Sequence, residues 1–287
     1  MRDLKPLSAL DTSDREAFLQ GWTALTPERR NQIAHAMFEL AEDNVDLDFN
    51  AVLFWLLDDQ AAEVRTVAIE GLWENTSLRL MRKLLELLRD DPSAEVRASA
   101  ALGLSHFAYQ SSVGELDDDE ISALHDGLFA AMRDETQTLD VRRRALESAG
   151  YFGDEDEVEQ RIEQAYGSAE QLLRESALVA MGRSMDQRWL PTIGAALGNS
   201  SPALRYEAAR AAGEIAEDAQ SLVPRLVPMI EDDDSEVALA AIWALGQIGG
   251  ERARRALQNA RKSSNETRSL AATEALEELT LGEGLVN

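Results

Sequence analysis

The sequence contains no cysteine, and this absence excludes disulfide bonds, thiolate metal sites and cysteine nucleophiles. Aromatic residues make up only 6% of the 287 residues, a composition that favours close-packed helices over a β-sandwich. No run of about 18 apolar residues occurs, so the sequence predicts no membrane span. The N-terminal segment also lacks the apolar core of a signal peptide, and we therefore expect a cytoplasmic protein with no membrane partner.

Basic residues are scarce. The sequence has 28 lysines and arginines against 53 aspartates and glutamates, which gives a formal net charge of −25. Binding to a nucleic acid depends largely on basic side chains that neutralise phosphates, so this balance predicts no nucleic-acid partner and argues against a helical-repeat DNA glycosylase. The same charge favours a basic protein as the partner.

Residues that would indicate catalysis or metal binding are also sparse. The three histidines, His35, His106 and His125, are not spaced as a pair of metal ligands on a helix. The acidic runs lack the alternating ligands, central glycine and closing glutamate of a calcium loop. No phosphate-binding loop and no nucleophile elbow occurs. The sequence therefore predicts no catalytic residue, no cofactor and no metal site.

One short motif recurs along the chain: an aliphatic residue, then arginine, two variable residues and alanine. Successive copies begin 30 to 35 residues apart, except for one gap of 45 residues. The first residues of the copies, here called anchors, are Arg29, Val64, Val96, Val141, Leu173, Leu204, Val237 and Thr267. The first copy is degenerate, the copy at Val237 has alanine in place of arginine, and the last copy is weaker. Apolar or small residues recur four, five and eight positions after the anchors, which is the spacing of one face of an α-helix.

Another helix precedes each motif, and a short polar turn joins the two. Asp, Asn and Ser in these turns are expected to cap the following helix, and proline suits its first turn. Glycines that fall late in the second helices are expected to end them. These glycines are Gly103, Gly153, Gly182, Gly213, Gly246 and Gly249.

The repeated unit resembles the HEAT repeat, especially the short bacterial kind known as the PBS-lyase HEAT-like repeat. The clearest copies are residues 84–107 (LLELLRDDPSAEVRASAALGLSHF) and 222–249 (LVPRLVPMIEDDDSEVALAAIWALGQIG). This resemblance implies an all-α fold, a right-handed αα superhelix or α-solenoid of about eight helix pairs, in which the second helices line the concave surface.

We expect residues 1–48 to form a leader and a degenerate capping helix pair, and residues 49–287 to form one continuous solenoid with an acidic loop insertion near 110–120. The motif arginines are expected to form a ladder that binds turn carboxylates or carbonyls of neighbouring repeats, although a row facing a ligand is the alternative. They are Arg30, Arg65, Arg97, Arg142, Arg174, Arg205 and Arg268.

The predicted binding site lies on the second helices, at positions two and six after the anchor. A solvated helix face would carry mostly charged residues there. Two later repeats instead carry a tyrosine, an arginine, a leucine and a tryptophan, which are Tyr206, Arg210, Leu239 and Trp243. Aromatic residues and arginine often anchor protein interfaces, so we predict a protein-binding patch. Packing of these residues between repeats is the alternative interpretation.

The resulting prediction is a non-catalytic scaffold or adaptor that binds another protein along its concave surface. The PBS-lyase resemblance implies an alternative, a subunit similar to the phycobilin lyases and isomerases that handles a tetrapyrrole. No residue of the sequence points specifically to tetrapyrrole chemistry.

Overall fold

The computed structural model describes residues 4–285, without the side chains of residues 282–285, and every regular element within this range is helical. The chain divides into two compact units, the first ending at Ala145 and the second beginning at Leu146. Residues 1–3 and 286–287, which the predicted ranges 1–48 and 49–287 include, lie outside the described residues. The boundary at residue 48 and the single continuous solenoid stay predictions.

The first unit begins with two short 3₁₀ helices, Lys5–Ala9 and Thr12–Asp14, and continues with α-helices. These are α1 (Arg15–Thr23), α2 (Pro27–Asp43), α3 (Asn50–Leu56), α4 (Ala62–Gly71), α5 (Leu78–Asp90), α6 (Ala94–Gly103), α7 (Ser105–Ser112) and α8 (Asp118–Arg133). Helix α9 (Leu139–Ala149) contains the boundary between the units. Within the first unit, α3 pairs with α4 and α5 with α6, and the second helices α2, α4 and α6 stack in order.

The second unit repeats this arrangement. Its α-helices are α10 (Asp156–Tyr166), α11 (Gln171–Arg183), α12 (Leu190–Ala196), α13 (Pro202–Glu214), α14 (Val223–Met229), α15 (Ser235–Ile248), α16 (Gly250–Ala260) and α17 (Glu266–Leu285). Each even-numbered helix pairs with the helix that follows it, and the second helices α11, α13, α15 and α17 stack one on the next. Within each unit, the stacked repeats therefore bury apolar side chains against the neighbouring copy.

The motif positions form the core of the stack. The alanines four residues after the anchors are fully buried in six repeats: Ala68, Ala100, Ala145, Ala177, Ala208 and Ala241. The anchors Val64, Val96, Val141 and Val237 are equally buried. Small side chains at these points let adjacent helices approach closely at the packing density of a protein interior.

The predicted side-chain caps form at the starts of α2 and α15, whereas Ser93 before α6 and Ser201 before α13 make no cap hydrogen bond. Thr26 accepts a hydrogen bond from the backbone nitrogen of Arg29, and Pro27 occupies the first turn of α2. Asp234 accepts from the backbone nitrogens of Glu236 and Val237 at the start of α15. Such caps satisfy amide groups that have no partner inside the helix.

The motif arginines link consecutive turns. Arg65 donates to the carbonyl oxygen of Asp59 in the turn of its own repeat and to both carboxylate oxygens of Asp91 in the next turn. Arg205 does the same with the carbonyl of Asn199 and the carboxylate of Asp232. The predicted ladder is confirmed for the arginines that bond to turns in this way: Arg30, Arg65, Arg97, Arg205 and Arg268.

The acidic loop predicted near residues 110–120 is shorter than expected, because helices occupy both of its ends. Leu104 keeps helical backbone angles, with φ −69° and ψ −13°, so the chain continues from α6 into α7, which ends at Ser112. Asp117 then caps α8 by accepting from the backbone nitrogen of Glu120, whose side chain accepts from the nitrogen of Asp117. The acidic residues thus begin a helix, where negative charge is favourable.

Three of the glycines expected to end second helices lie within the last three residues of those helices, and each also lies against the next repeat. A Cβ atom at Gly182 would lie 2.7 Å from the Cα atom of Ala211, and one at Gly246 would lie 3.0 Å from the Cβ atom of Ala275. Gly213 is similarly close to the next repeat. These glycines permit contact between stacked helices, whereas Gly249, with φ +68°, does end α15.

Candidate protein-binding site

The four predicted patch residues lie on two helices of the second unit that pack against each other. Tyr206 and Arg210 are one turn apart on α13, and Leu239 and Trp243 are one turn apart on α15. All four side chains are partly buried. The spacing of four residues places the two members of each pair on one side of their helix. Positions two and six after the anchor therefore face the same way.

The structure brings Arg210 and Trp243 into direct contact. The guanidinium carbon of Arg210 lies 3.7 Å from the centre of the Trp243 ring, a cation–π stack. Within the described chain, no hydrogen bond or ring contact joins Tyr206 to either of them. The patch is therefore built around one cross-repeat stack, with Tyr206 and Leu239 one turn earlier on their helices.

Gly213 determines where the Trp243 ring can lie. A Cβ atom at Gly213 would be 2.3 Å from Cζ3 of Trp243, so the ring occupies the space that a larger residue on α13 would fill. Trp243 accordingly packs between repeats and also carries the stacked arginine. Packing of Trp243 between repeats, the alternative interpretation, is thus seen in the structure, and its part in a protein-binding patch stays a prediction.

Two carboxylates that the prediction did not include adjoin the patch. Burial, together with the nearby carboxylates of Glu147 and Glu175, raises the pKa of Glu207 to about 7, while Arg210 opposes the change. Burial also raises the pKa of Glu214, against the opposing charges of Arg183 and Arg210. Two half-buried carboxylates therefore lie near the arginine of the stack, and burial favours their neutral forms.

Glu147 is the most deeply buried member of this acidic group, with 2% of its surface exposed. The Ser176 hydroxyl donates a hydrogen bond of 2.5 Å to its Oε1 atom. The repeat pattern does leave positions three and ten after the anchor open, and Glu207 and Glu214 occupy them. Spacing alone cannot reveal burial, so nothing in the sequence indicates that their ionisation is perturbed.

The arrangement suits recognition of a protein surface. The Trp243 ring and the Arg210 side chain stacked on it supply contact area, and the carboxylates can pair with basic groups. Among residues 4–285, no three or more histidines and carboxylates are placed to hold a metal ion together.

Comparison with known families now identifies the repeat. Residues 80–111 match the family described as HEAT repeat, and residues 190–277 match the family described as HEAT repeats. The second match contains α13 and α15, which carry the patch. This chain is a HEAT-repeat protein. The resemblance of the sequence to HEAT repeats is thereby confirmed, whereas the finer resemblance to the PBS-lyase type stays a prediction.

Solved structures show the same fold for this HEAT-repeat protein. The structure of the Kap95:Nup1 complex is similar over 79% of this chain and 35% of the matched chain, with 16% identity and a TM-score of 0.50. That likeness, together with the repeated helix pairs, confirms the predicted all-α solenoid fold. A search of curated proteins by sequence finds no match.

Two further structures are more distant. YibA of Escherichia coli is similar over 89% of this HEAT-repeat protein and 97% of its own chain, with 17% identity and a TM-score of 0.45. Human deoxyhypusine hydroxylase in complex with glycerol is similar over 88% and 98%, with 16% identity and a TM-score of 0.40. Within residues 4–285, no helix has both the length and the apolarity needed to cross a membrane.

Proposed function

We propose that this HEAT-repeat protein is a non-catalytic scaffold that binds another protein on the face formed by the second helices of residues 146–287. Tyr206, Arg210, Leu239 and Trp243 are the proposed contact residues. The observation that carries the proposal is the stack of Arg210 on Trp243, because both side chains keep an exposed part beside each other on adjacent repeats. Tryptophan, tyrosine and arginine are the residues most enriched at the energetic centres of interfaces.

The charge of the site favours a basic partner. The whole chain carries a formal charge of −25, and Glu207 and Glu214 lie next to the proposed contact residues on α13. A lysine or arginine of the partner would relieve the repulsion among these carboxylates and lower the pKa of Glu207. Such complementarity would also accelerate association at low salt.

A protein of similar fold was solved in complex with another protein, which is compatible with the proposal. The similar structure described above was solved as a complex of Kap95 with Nup1, in which the shared fold is found with another protein. Stacked second helices provide an extended surface of that kind, because each repeat adds one helix face to it.

Affinity capture from the native host, followed by titration of the purified partner, tests the proposal. We expect the double variant Tyr206→Ala/Leu239→Ala to bind the partner at least about thirtyfold more weakly, which is the effect of removing residues at an interface centre. Both side chains are only partly buried, so the variant is expected to fold.

The matched control is Leu270→Ala, which removes an apolar side chain that is 61% exposed in the same unit but lies outside the patch. It should bind like the unchanged protein. A folded double variant that keeps full affinity would rule out this face as the binding site. A shift in the absorbance of an added bilin would instead favour the tetrapyrrole alternative.

A further inference from the structure

A second site lies in the first unit, in a cavity of about 360 Å³ next to Trp73. The end of α2, the loop after it, the start of α3 and the end of α4 surround this space, here called the Trp73 cavity. Phe38 and Phe49 also line it, and Phe49 is almost completely buried. The volume is within the range of about 300–1,000 Å³ that is usual for ligand pockets.

Trp73 is held in place although it is unusually exposed. Its side chain is 57% exposed, yet its Nε1–H group donates a hydrogen bond of 3.0 Å to Oε1 of Glu42. The bond fixes the indole at the edge of the cavity. A fixed aromatic ring presents a preorganised face, which reduces the entropy lost on binding.

The charge of the Trp73 cavity has one sign only. Glu42, Asp48 and Glu74 line it, and no lysine, arginine or histidine is among the lining residues. Glu42 and Glu74 are exposed. A cation in this cavity would therefore meet carboxylates and the electron-rich faces of aromatic rings together.

The same chain shows which cation such rings accept. Arg79 lies with its guanidinium 3.8 Å from the centre of the Phe54 ring, and Arg210 covers Trp243 at 3.7 Å. In the part of the chain that the structure describes, no arginine or lysine stacks on Trp73. The exposed face of the Trp73 ring is therefore not covered by a cation of its own chain within the described residues.

We propose that the Trp73 cavity binds an arginine side chain of a basic peptide. A planar guanidinium can stack on the indole and donate hydrogen bonds in its own plane to the carboxylates, which the compact ammonium of lysine cannot do at once. The site is separate from the face proposed above, because all its residues belong to the first unit. Either proposal can therefore fail while the other stands.

The test uses the full chain with ¹⁵N-labelled tryptophan and follows the indole NMR signals during addition of n-butylguanidinium. We expect the Trp73 signal, assigned through the variant Trp73→Phe, to shift and saturate with a dissociation constant on the order of 1 mM, the scale of one side-chain contact. Trp22 is the internal control, because its indole is buried and bonds to Asp59.

The neutral analogue n-butylurea has nearly the same shape, and it should leave the Trp73 signal almost unmoved. The ammonium probe n-butylammonium should bind more weakly than n-butylguanidinium. Glu74→Gln should weaken binding of the guanidinium probe by about twofold to fivefold, as expected for the loss of one exposed charge partner. Glu63→Gln, which changes an exposed glutamate outside the cavity, should have no effect.

Equal shifts with n-butylguanidinium and n-butylurea would overturn the proposal, since charge would then play no part. An unmoved Trp73 signal in the folded protein would overturn it as well. Tighter binding of the ammonium probe would contradict the assignment to arginine.

Discussion

Arg65 and Asp91 form a buried bidentate ion pair that joins two consecutive repeats. Both nitrogen–oxygen distances are 2.7 Å, and the two side chains are only 9% and 3% exposed. Asp91→Ala would leave the arginine buried without its carboxylate. We expect the free energy of unfolding, measured by urea denaturation, to fall by about 3–5 kcal/mol.

The neighbouring Asp90 provides the control for this prediction. Asp90 pairs with Arg89 at the surface, where both side chains are well exposed. Because water screens such a pair, Asp90→Ala should leave the free energy of unfolding unchanged within error. Equal losses in the two variants would show that the buried position of Asp91 has no special effect.

Gly213→Ala should destabilise the protein although alanine is the better helix former. The new Cβ atom would lie 2.3 Å from Cζ3 of Trp243 and 3.0 Å from the Cα atom of Ala244. The ring and helix α15 would have to move, which costs about 1–3 kcal/mol in a packed interior. Thermal or urea denaturation would measure the loss.

Gly21→Ala is the matched control, since Gly21 also lies in a helix but has no neighbouring atom within 4 Å of the place that a Cβ atom would take. This change should stabilise the protein by about 0.5–1 kcal/mol through helix propensity. If Gly213→Ala were stabilising to the same extent, the contact with Trp243 would not restrict the position.

Glu207 should make the protein less stable as the pH rises. Burial, followed by repulsion from Glu147 and Glu175, raises the pKa of Glu207 from 4.5 to about 7. The folded state therefore binds this proton more tightly than the unfolded state does. The stability from Glu207 is complete below pH 4.5 and is lost as the pH rises through about 7.

Glu207→Gln removes this dependence, because the amide stays neutral. Relative to the unchanged protein, we expect the variant to gain about 1–3 kcal/mol in the free energy of unfolding at about pH 8 and little at about pH 5. Urea denaturation at a series of pH values gives the comparison, with exposed Glu217→Gln as the control. A constant difference across the series would contradict the raised pKa.

Asp232 should make the protein less stable as the pH falls, whereas Glu207 does so as the pH rises. The hydrogen bonds from Arg205 lower the pKa of Asp232 below its ordinary 3.8. A lowered pKa in the folded state means that the stabilisation is present above pH 3.8 and is lost as the pH falls through the folded-state value.

We therefore expect Asp232→Asn to be less stable than the unchanged protein near neutral pH, and the difference to shrink as acid is added. The measurement is urea denaturation between about pH 7 and about pH 3. Asp218→Asn, at an exposed position of the same unit, should follow the unchanged protein throughout. A difference that grows on acidification would show the wrong sign for the pKa shift.

The sequence predicts local features of this protein well because they depend on spacing along one chain. The anchor Val64 and the alanine Ala68 are four residues apart, so a helix must place them on one side, and both are buried. The arginine ladder could be predicted for a related reason. A basic residue that recurs once per repeat comes close to the polar turns at each step of the stack, and Arg65 and Arg205 meet the acidic turn of the next repeat in the same geometry.

The candidate sites depended on distances between repeats, which spacing does not determine. Tyr206 and Trp243 could be selected from the sequence as unusual residues, but the stack on Arg210 depends on how closely α13 approaches α15. Gly213 shows the limit clearly. The sequence places Gly213 near the end of a helix. It does not show that the missing side chain leaves space for the ring of Trp243, which is 30 residues further along the chain.

By itself, then, the sequence determined the helix pairs, their period and the residues that each repeat buries, because these follow from periodic chemistry along the backbone. Only the tertiary structure decided which carboxylates lose contact with water, as Glu207 does, and which aromatic ring stays open beside a cavity, as Trp73 does. Desolvation and cavity shape arise from atoms of several repeats meeting in space, so no single stretch of sequence contains them.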